Sequence, residues 1–357
     1  MCVSVLDDPS AYQRIDVSGT RALIRDLPRQ CRVAWREAQA LDLPAGYRDV
    51  DKIVILGMGG SAIAGDLLRS LMALESPVPV FVHRDYGLPL LVDGRTLLIA
   101  ASYSGDTEET FSAFEAGLRS DAKRLVIATG GRLLASARAN GVPAFVFDYN
   151  STPRAALGYG LMPLLAITEK LGIVGGKVED VEEAVILMEH MAGRIGEHVP
   201  LKRNPAKHVA QRLEGHLPVV YGAGILTHVA HRWKTQFNEN SKLWCIWDEL
   251  PEANHNAIVG YGLPPDIAAR ALVIFLRCAA LHPRIRLRYE FTRQALAEAG
   301  VANEAVDAEG RSPLAQMLST IFFGDYVSLY LAIQGGVDPT PIGPIAGLKR
   351  WLAERPD

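Results

Sequence analysis

Short apolar runs alternating with helical periodicities organise most of the chain. Residues 52–56, 78–82, 96–101, 124–128 and 144–147 read as strands, and amphipathic segments opening near Ser61, Thr107 and Arg132 fall among them. Strands joined by helical crossovers of this length must lie parallel, so the pattern predicts an α/β fold with a doubly wound sheet. A second alternation begins at Leu217. It comprises a strand at 217–221, a Gly222-Ala223-Gly224 turn, a long helix to about Lys242, and strands at 243–247, 272–276 and 285–290. The plan of strand, glycine turn and helix is shared by the segment from Ile53 to Ser61 and the segment from Val219 to Ile225, which reads as a degenerate repeat. Between the blocks, Leu161, Leu164, Leu165, Val181, Val185, Met188 and Met191 recur at helical spacing. The expected organisation is N-terminal helices over 1–50 packing on the first domain, a first domain at 51–152, a helical connector at 153–213, and a second domain at 214–357 with a C-terminal helix.

Composition changes this picture little. The chain has 357 residues, 49% of them apolar, and a net charge of −3, which suits two packed domains and offers no basic footprint for nucleic acid. Apolar runs stop short of a membrane span, and no basic segment precedes an apolar N-terminal core, so a cytoplasmic protein without membrane partners is expected. Cys2, Cys31, Cys245 and Cys278 lie far apart in mostly apolar surroundings and predict reduced structural thiols. Cys2 as an N-terminal nucleophile would need an amidotransferase domain, for which the segment before the first strand is too short.

The chemistry gathers first at Ser102-Tyr103-Ser104-Gly105-Asp106-Thr107, between an apolar strand and a helix start. Three hydroxyls, a turn-permitting glycine and free helix N–H groups are the donors that a phosphate monoester needs. No lysine stands among them, and the nucleoside-triphosphate signature is missing. A simpler reading is a helix capping box of Asp106 and Glu109. The other candidate is Gly57-Met58-Gly59-Gly60-Ser61-Ala62, which fits a dinucleotide fingerprint, with His83, Arg84 and Asp85 after the next strand. It equally fits one phosphate held between Ser61 and the hydroxyl loop. The hydroxyl is missing from the second glycine turn, so phosphate binding is expected in the first half only.

With both segments placed, the chain resembles the sugar isomerase (SIS) domain family. Lys234-Thr235-Gln236-Phe237-Asn238-Glu239-Asn240-Ser241-Lys242 and Pro251-Glu252-Ala253-Asn254-His255-Asn256 are similar to its bifunctional phosphoglucose/phosphomannose isomerases. That resemblance implies two SIS-type domains and a site in which Gly60, Ser61, Ser102, Ser104 and Thr107 hold the phosphate of a sugar 6-phosphate. It implies catalysis by Glu239, His255, Arg154 and Lys349, with no cofactor and no metal. It further implies a homodimer whose His255 completes the partner's site, and a role for Thr340 in admitting mannose 6-phosphate.

Interconverting an aldose and a ketose phosphate needs a base that moves a proton between C2 and C1 through a cis-enediolate, and a group that offsets the oxyanion. Glu239 suits the first task and Arg154 the second; His255 would open the sugar ring and Lys349 hold a hydroxyl. Read from the residues alone, Glu239 is equally a solvated partner of Lys242, His255 a histidine bonded among Asn254 and Asn256, and Arg154 a structural arginine. His228 and His231 stand one helical turn apart without a third metal ligand nearby in the sequence. A sugar-phosphate-binding regulator and an NAD(P)-dependent oxidoreductase are the competing functions.

Overall fold

Both alternating blocks fold into parallel sheets, and the computed structural model describes residues 4–355, so that Cys2 lies outside them. Helices α1 (Pro9–Ile15), α2 (Thr20–Arg25) and α3 (Leu27–Gln39) precede the first block. That block runs β1 (Lys52–Leu56), α4 (Gly59–Met72), β2 (Val80–His83), β3 (Thr96–Ser102), α5 (Glu108–Leu118), β4 (Lys123–Ala128), α6 (Gly131–Ala139) and β5 (Ala144–Val146). Helices α7 (Leu157–Lys170), α8 (Val178–Ile195) and α9 (Pro205–Arg212) form the connector. The second block runs β6 (Leu217–Ala223), α10 (Thr227–Glu239), β7 (Ile246–Leu250), α11 (Pro265–Ala268), β8 (Ala271–Arg277), α12 (Pro283–Glu298) and β9 (Ala302–Asp307). Two helices, α13 (Pro313–Gln334) and α14 (Gly343–Ala353), follow it.

Strand order is β2-β1-β3-β4-β5 in the first sheet and β7-β6-β8-β9 in the second, all pairs parallel. The second is the first four strands over again, so the repeat read from the glycine turns is a repeat of topology. In this order the chain winds away in opposite directions from β1 and β3, which opens a crevice at their carboxyl ends. Period-two alternation divides the first sheet's faces. Ile53, Ile55, Leu97 and Ile99 belong to the large core that continues into the second block, while Val54, Leu56, Leu98 and Ala100 pack with Phe114 and Leu133 of α5 and α6.

The structure differs from the sequence pattern in two elements. Residues 285–290, read as a strand from Ile285, Leu287 and Tyr289, lie inside α12, with Pro283 in its first turn and the His282 ring accepting from the Arg284 amide as a cap. Of that apparent alternation only Tyr289 is buried, while Leu287 is 60% exposed. The fourth strand is instead β9, which shows no clear alternation because Val306 is its one buried residue. Residues 243–247 enter the sheet later than expected, as Ile246–Leu250.

The N-terminal helices pack chiefly on the connector, α3 against α7 and α8. Gln30 of α3 donates to the Ala155 carbonyl (2.9 Å) and accepts from the Gly158 amide (3.3 Å), fixing the turn that carries Arg154. Helix α13 is buried along nearly its whole length against α8, α9 and α10. It is the one helix among the described residues long and apolar enough to cross a membrane, and it serves here as a core helix. Cys31, Cys245 and Cys278 are buried, unbridged thiols.

Candidate active site

The hydroxyl residues meet at the crevice between the ends of β1 and β3. Ser61, in the first turn of α4, accepts from the Tyr103 amide (3.2 Å), which ties the glycine turn to the hydroxyl loop across forty-two positions of sequence. Within the loop, Ser102 and Thr107 hydroxyls lie 2.9 Å apart, the Gly105 amide donates to Ser102 Oγ (3.1 Å), and the Asp106 amide donates to Ser104 Oγ (3.2 Å). Met58 and Thr107, the N-caps of α4 and α5, make no side-chain cap bond, so the opening amides of both helices, Gly59 and Gly60 in α4 and Glu108 and Glu109 in α5, lack an intrahelical acceptor. The capping-box alternative is not what forms: Asp106 accepts from the Arg132 amide (3.0 Å) instead. Gly105, at φ +74, is required twice, since a Cβ there would also fall 1.8 Å from the Gly130 carbonyl oxygen.

Gly60 joins this seat to the next group. An added Cβ would meet the Pro153 carbonyl oxygen at 2.9 Å and the Arg154 amide at 3.1 Å, so the start of α4 lies directly against the Arg154 turn. Gly60→Ala is therefore expected to push the two apart and to lower kcat/KM by roughly 10²-fold, the cost typical of a 1 Å misplacement. Steady-state kinetics of the variant, with its circular dichroism unchanged, check this.

Arg154 is buried and held at every nitrogen. Nε donates to Asn240 Oδ1 (2.7 Å), Nη2 to the carbonyls of Pro339 (2.8 Å) and Thr340 (3.0 Å), and Nη1 to Glu239 Oε2 (3.3 Å). Burial pushes its pKa down and Glu239 opposes that. The Glu239 side chain, at the C-terminal end of α10, is 26% exposed against 4% for Arg154, so the carboxylate and not the guanidinium faces outward. Lys242 does not pair with that carboxylate. Its ammonium bonds the main-chain carbonyls of Glu239 and Pro339, with its own backbone in the left-handed region at φ 56. Thr340, whose carbonyl Arg154 holds, shares a hydroxyl contact of 2.9 Å with Thr20 of α2.

Two predicted residues stand apart from this cluster within the chain. His255 follows β7 on an exposed turn, while its neighbours bond elsewhere, Asn254 to Thr292 (2.7 Å) and Asn256 to Glu252 (2.7 Å). It sits at the carboxyl edge of the second sheet. Glu239 sits at the other edge, because the 13-residue α10 carries the chain back by about 20 Å. Lys349 is exposed on α14 with no hydrogen bond or ion pair among the described residues. His228 uses both ring nitrogens, toward Ser70 Oγ and Arg69 Nη2 (each 2.6 Å), and burial lowers its pKa to about 4; His231 stacks on Trp247. Asn240 is the contact residue that sequence reasoning missed, although it extends Arg232 and Gln236 at four-residue spacing along α10.

Comparison with known proteins agrees with this architecture. The family described as the bacterial phospho-glucose isomerase C-terminal SIS domain matches residues 202–352. A bifunctional phosphoglucose/phosphomannose isomerase from Caldicellulosiruptor bescii is 39% identical over 335 residues, covering 94% of this chain and 99% of its own. One of the same description from Aquifex aeolicus is 34% identical, covering 84% and 90% respectively. Among solved structures, tagatose-6-phosphate ketose/aldose isomerase from Escherichia coli superposes with a TM-score of 0.69 at 18% identity over 92% of this chain and 97% of its own.

Proposed function

As the chain belongs to the bifunctional phosphoglucose/phosphomannose isomerase family, we propose that it interconverts glucose 6-phosphate and mannose 6-phosphate with fructose 6-phosphate through a cis-enediolate. The observation that carries this reading is the Glu239 carboxylate, held 3.3 Å from Arg154 on a turn that abuts the phosphate seat at Gly60. Ser61, Ser102, Ser104 and Thr107, with the amides opening α4 and α5, bind the phosphate. Their donors are neutral, which suits a small dianion that must leave after each turnover. Bound there, the sugar lies along the Gly60–Pro153 contact toward Glu239.

Glu239 is the base that takes the proton from C2 and returns it at C1, or the reverse. A base that can deliver to either face of C2 yields both epimers. Arg154 is gripped at Nε and Nη2 by Asn240 and two carbonyls, so its fixed charge is preorganised for the sugar oxygen on which the enediolate charge develops. Sugars arrive as closed rings, and His255 is the proton shuttle for opening them. Its place at the end of β7, across the second sheet from the end of α10, supports its acting in the site of a second subunit. Exposed Trp244, Ile246, Val259 and Leu263 around its loop, and Ile345, Leu348 and Trp351 on α14, supply apolar surface for such a homodimer. Lys349, on the same helix, binds a sugar hydroxyl once α14 is seated. The reaction needs no cofactor, metal, nucleic acid or membrane, and its place is the cytoplasm.

Purified protein treated with EDTA and supplied with fructose 6-phosphate is expected to form glucose 6-phosphate and mannose 6-phosphate, each detected by its own coupling enzyme. Glucose 6-phosphate alone would narrow the specificity. Binding of the phosphosugar without either product would favour a regulator.

A further inference from the structure

We propose that the buried Asp325–Arg232 pair is a positioning device for the reaction, fixing Arg154 and, through it, the Glu239 carboxylate. This rests on the isomerase reading above for its kinetic consequence, though not for its geometry. Arg232 and Gln236 on α10 and Asn240 at its C-cap recur at four-residue spacing and so share the face that meets α13. Arg232 Nη2 donates both to Asp325 Oδ2 (2.8 Å) and to the main-chain carbonyl of Arg154 (3.2 Å). Gln236 Nε2 donates to the other oxygen, Asp325 Oδ1 (2.9 Å). One turn along, Asn240 passes its amide to Ser328 Oγ (3.0 Å), and that hydroxyl donates to the Asp325 carbonyl (2.7 Å). Arg154 is thus held at its carbonyl by Arg232 and at Nε by Asn240, and both holds trace to the same turn of α13.

Stability does not account for this arrangement. The Arg232 and Asp325 side chains are 2% and 6% exposed, and removing two charges from water generally costs as much as their attraction returns. Well-packed apolar side chains would fill the same space. What the pair adds is charge balance and direction. Arg232 and Arg154 are like charges, and their mutual repulsion contributes to the lowered pKa of Arg154. Asp325 sets a carboxylate against Arg232, while the guanidinium of Arg154, held at Nε and Nη2, directs its Nη1 at Glu239. None of Arg232, Gln236 and Asp325 reaches the phosphate seat, so substrate binding should not register their loss.

Two variants and two readouts test this. Combined Arg232→Met, Gln236→Met and Asp325→Leu replaces the polar cluster with apolar groups, a change that commonly leaves the melting temperature equal or higher. Its kcat is expected to fall by at least about 10-fold, with KM for fructose 6-phosphate within roughly twofold, since only transition-state positioning is lost. Arg232→Lys keeps the charge but ends one bond short of Nη2, the single nitrogen that reaches both acceptors, and is expected to lose kcat in the same sense. The second readout is hydrogen exchange of the Arg154 Nε–H, assigned by NMR through its loss in Arg154→Lys. It should be slow in the wild type and at least about 10-fold faster in both variants, because its opening becomes easier. Unchanged kcat and unchanged exchange in a folded variant would overturn the proposal. If the triple variant does not fold, Arg232→Lys alone decides. A wild type that makes neither aldose phosphate would defeat the isomerase reading, while the exchange rates would still test the positioning claim.

Discussion

Glu239→Gln is expected to lower kcat by about 10²–10⁴-fold with KM for fructose 6-phosphate nearly unchanged, the loss typical of removing a general base. The substitution is nearly isosteric, and the glutamine oxygen can still accept from Arg154 Nη1, so the turn at 153–155 and the end of α10 should keep their packing. Glu239 is part-exposed and its removal leaves no buried carboxylate without a partner. The proposed phosphate seat lies on α4 and the hydroxyl loop and is untouched. A fall confined to kcat, measured by product-specific coupled assays beside a melting temperature within a few degrees of wild type, is therefore the expected pattern. A large rise in KM would place Glu239 in binding, and wild-type turnover would remove it from the chemistry.

His255 should matter as much, but in another subunit's site. His255→Asn alone is expected to lower ring-opening turnover by about 10²–10⁴-fold. Mixed and co-refolded with Glu239→Gln, it should recover activity, because each mixed dimer carries one site with both native residues and one with neither. Random pairing makes half the dimers mixed, so recovery approaches about a quarter of wild type for a twofold-symmetric assembly. The geometry behind this is simple: β6 and β7 are parallel, α10 returns between them, and Glu239 and His255 are left at opposite edges of one sheet. Recovery absent from a confirmed mixed dimer would mean that His255 does not act across subunits.

How far the site was legible depended on whether its parts were local. Ser61 and the Ser102–Thr107 loop lie at strand ends, where turn glycines and hydroxyls carry their own signature, and the structure brings them together through the Tyr103 amide. The meeting of Arg154 with Glu239 spans 85 positions and is made by α10 lying on α13, which no local pattern encodes. The resemblance implies a role for each residue but not their contact. The stripe of Arg232, Gln236 and Asn240 was readable as a polar row between buried Trp233 and Phe237, yet its meaning needed Asp325 from α13. Residues 285–290 misled because an apolar alternation within a charged helix mimics a strand until Pro283 and its cap are weighed. The repeated plan of strand, glycine turn and helix was legible from the glycine turns, whereas the strand order is set by how the crossovers return across each sheet.

The most direct test is to incubate EDTA-treated protein with fructose 6-phosphate in deuterium oxide and follow both aldose phosphates by NMR. Proton transfer through a shared enediolate with Glu239 as base predicts that glucose 6-phosphate and mannose 6-phosphate both form and that both accumulate deuterium at C2 as interconversion proceeds. Formation of neither, or of products whose C2 never acquires deuterium, would contradict it.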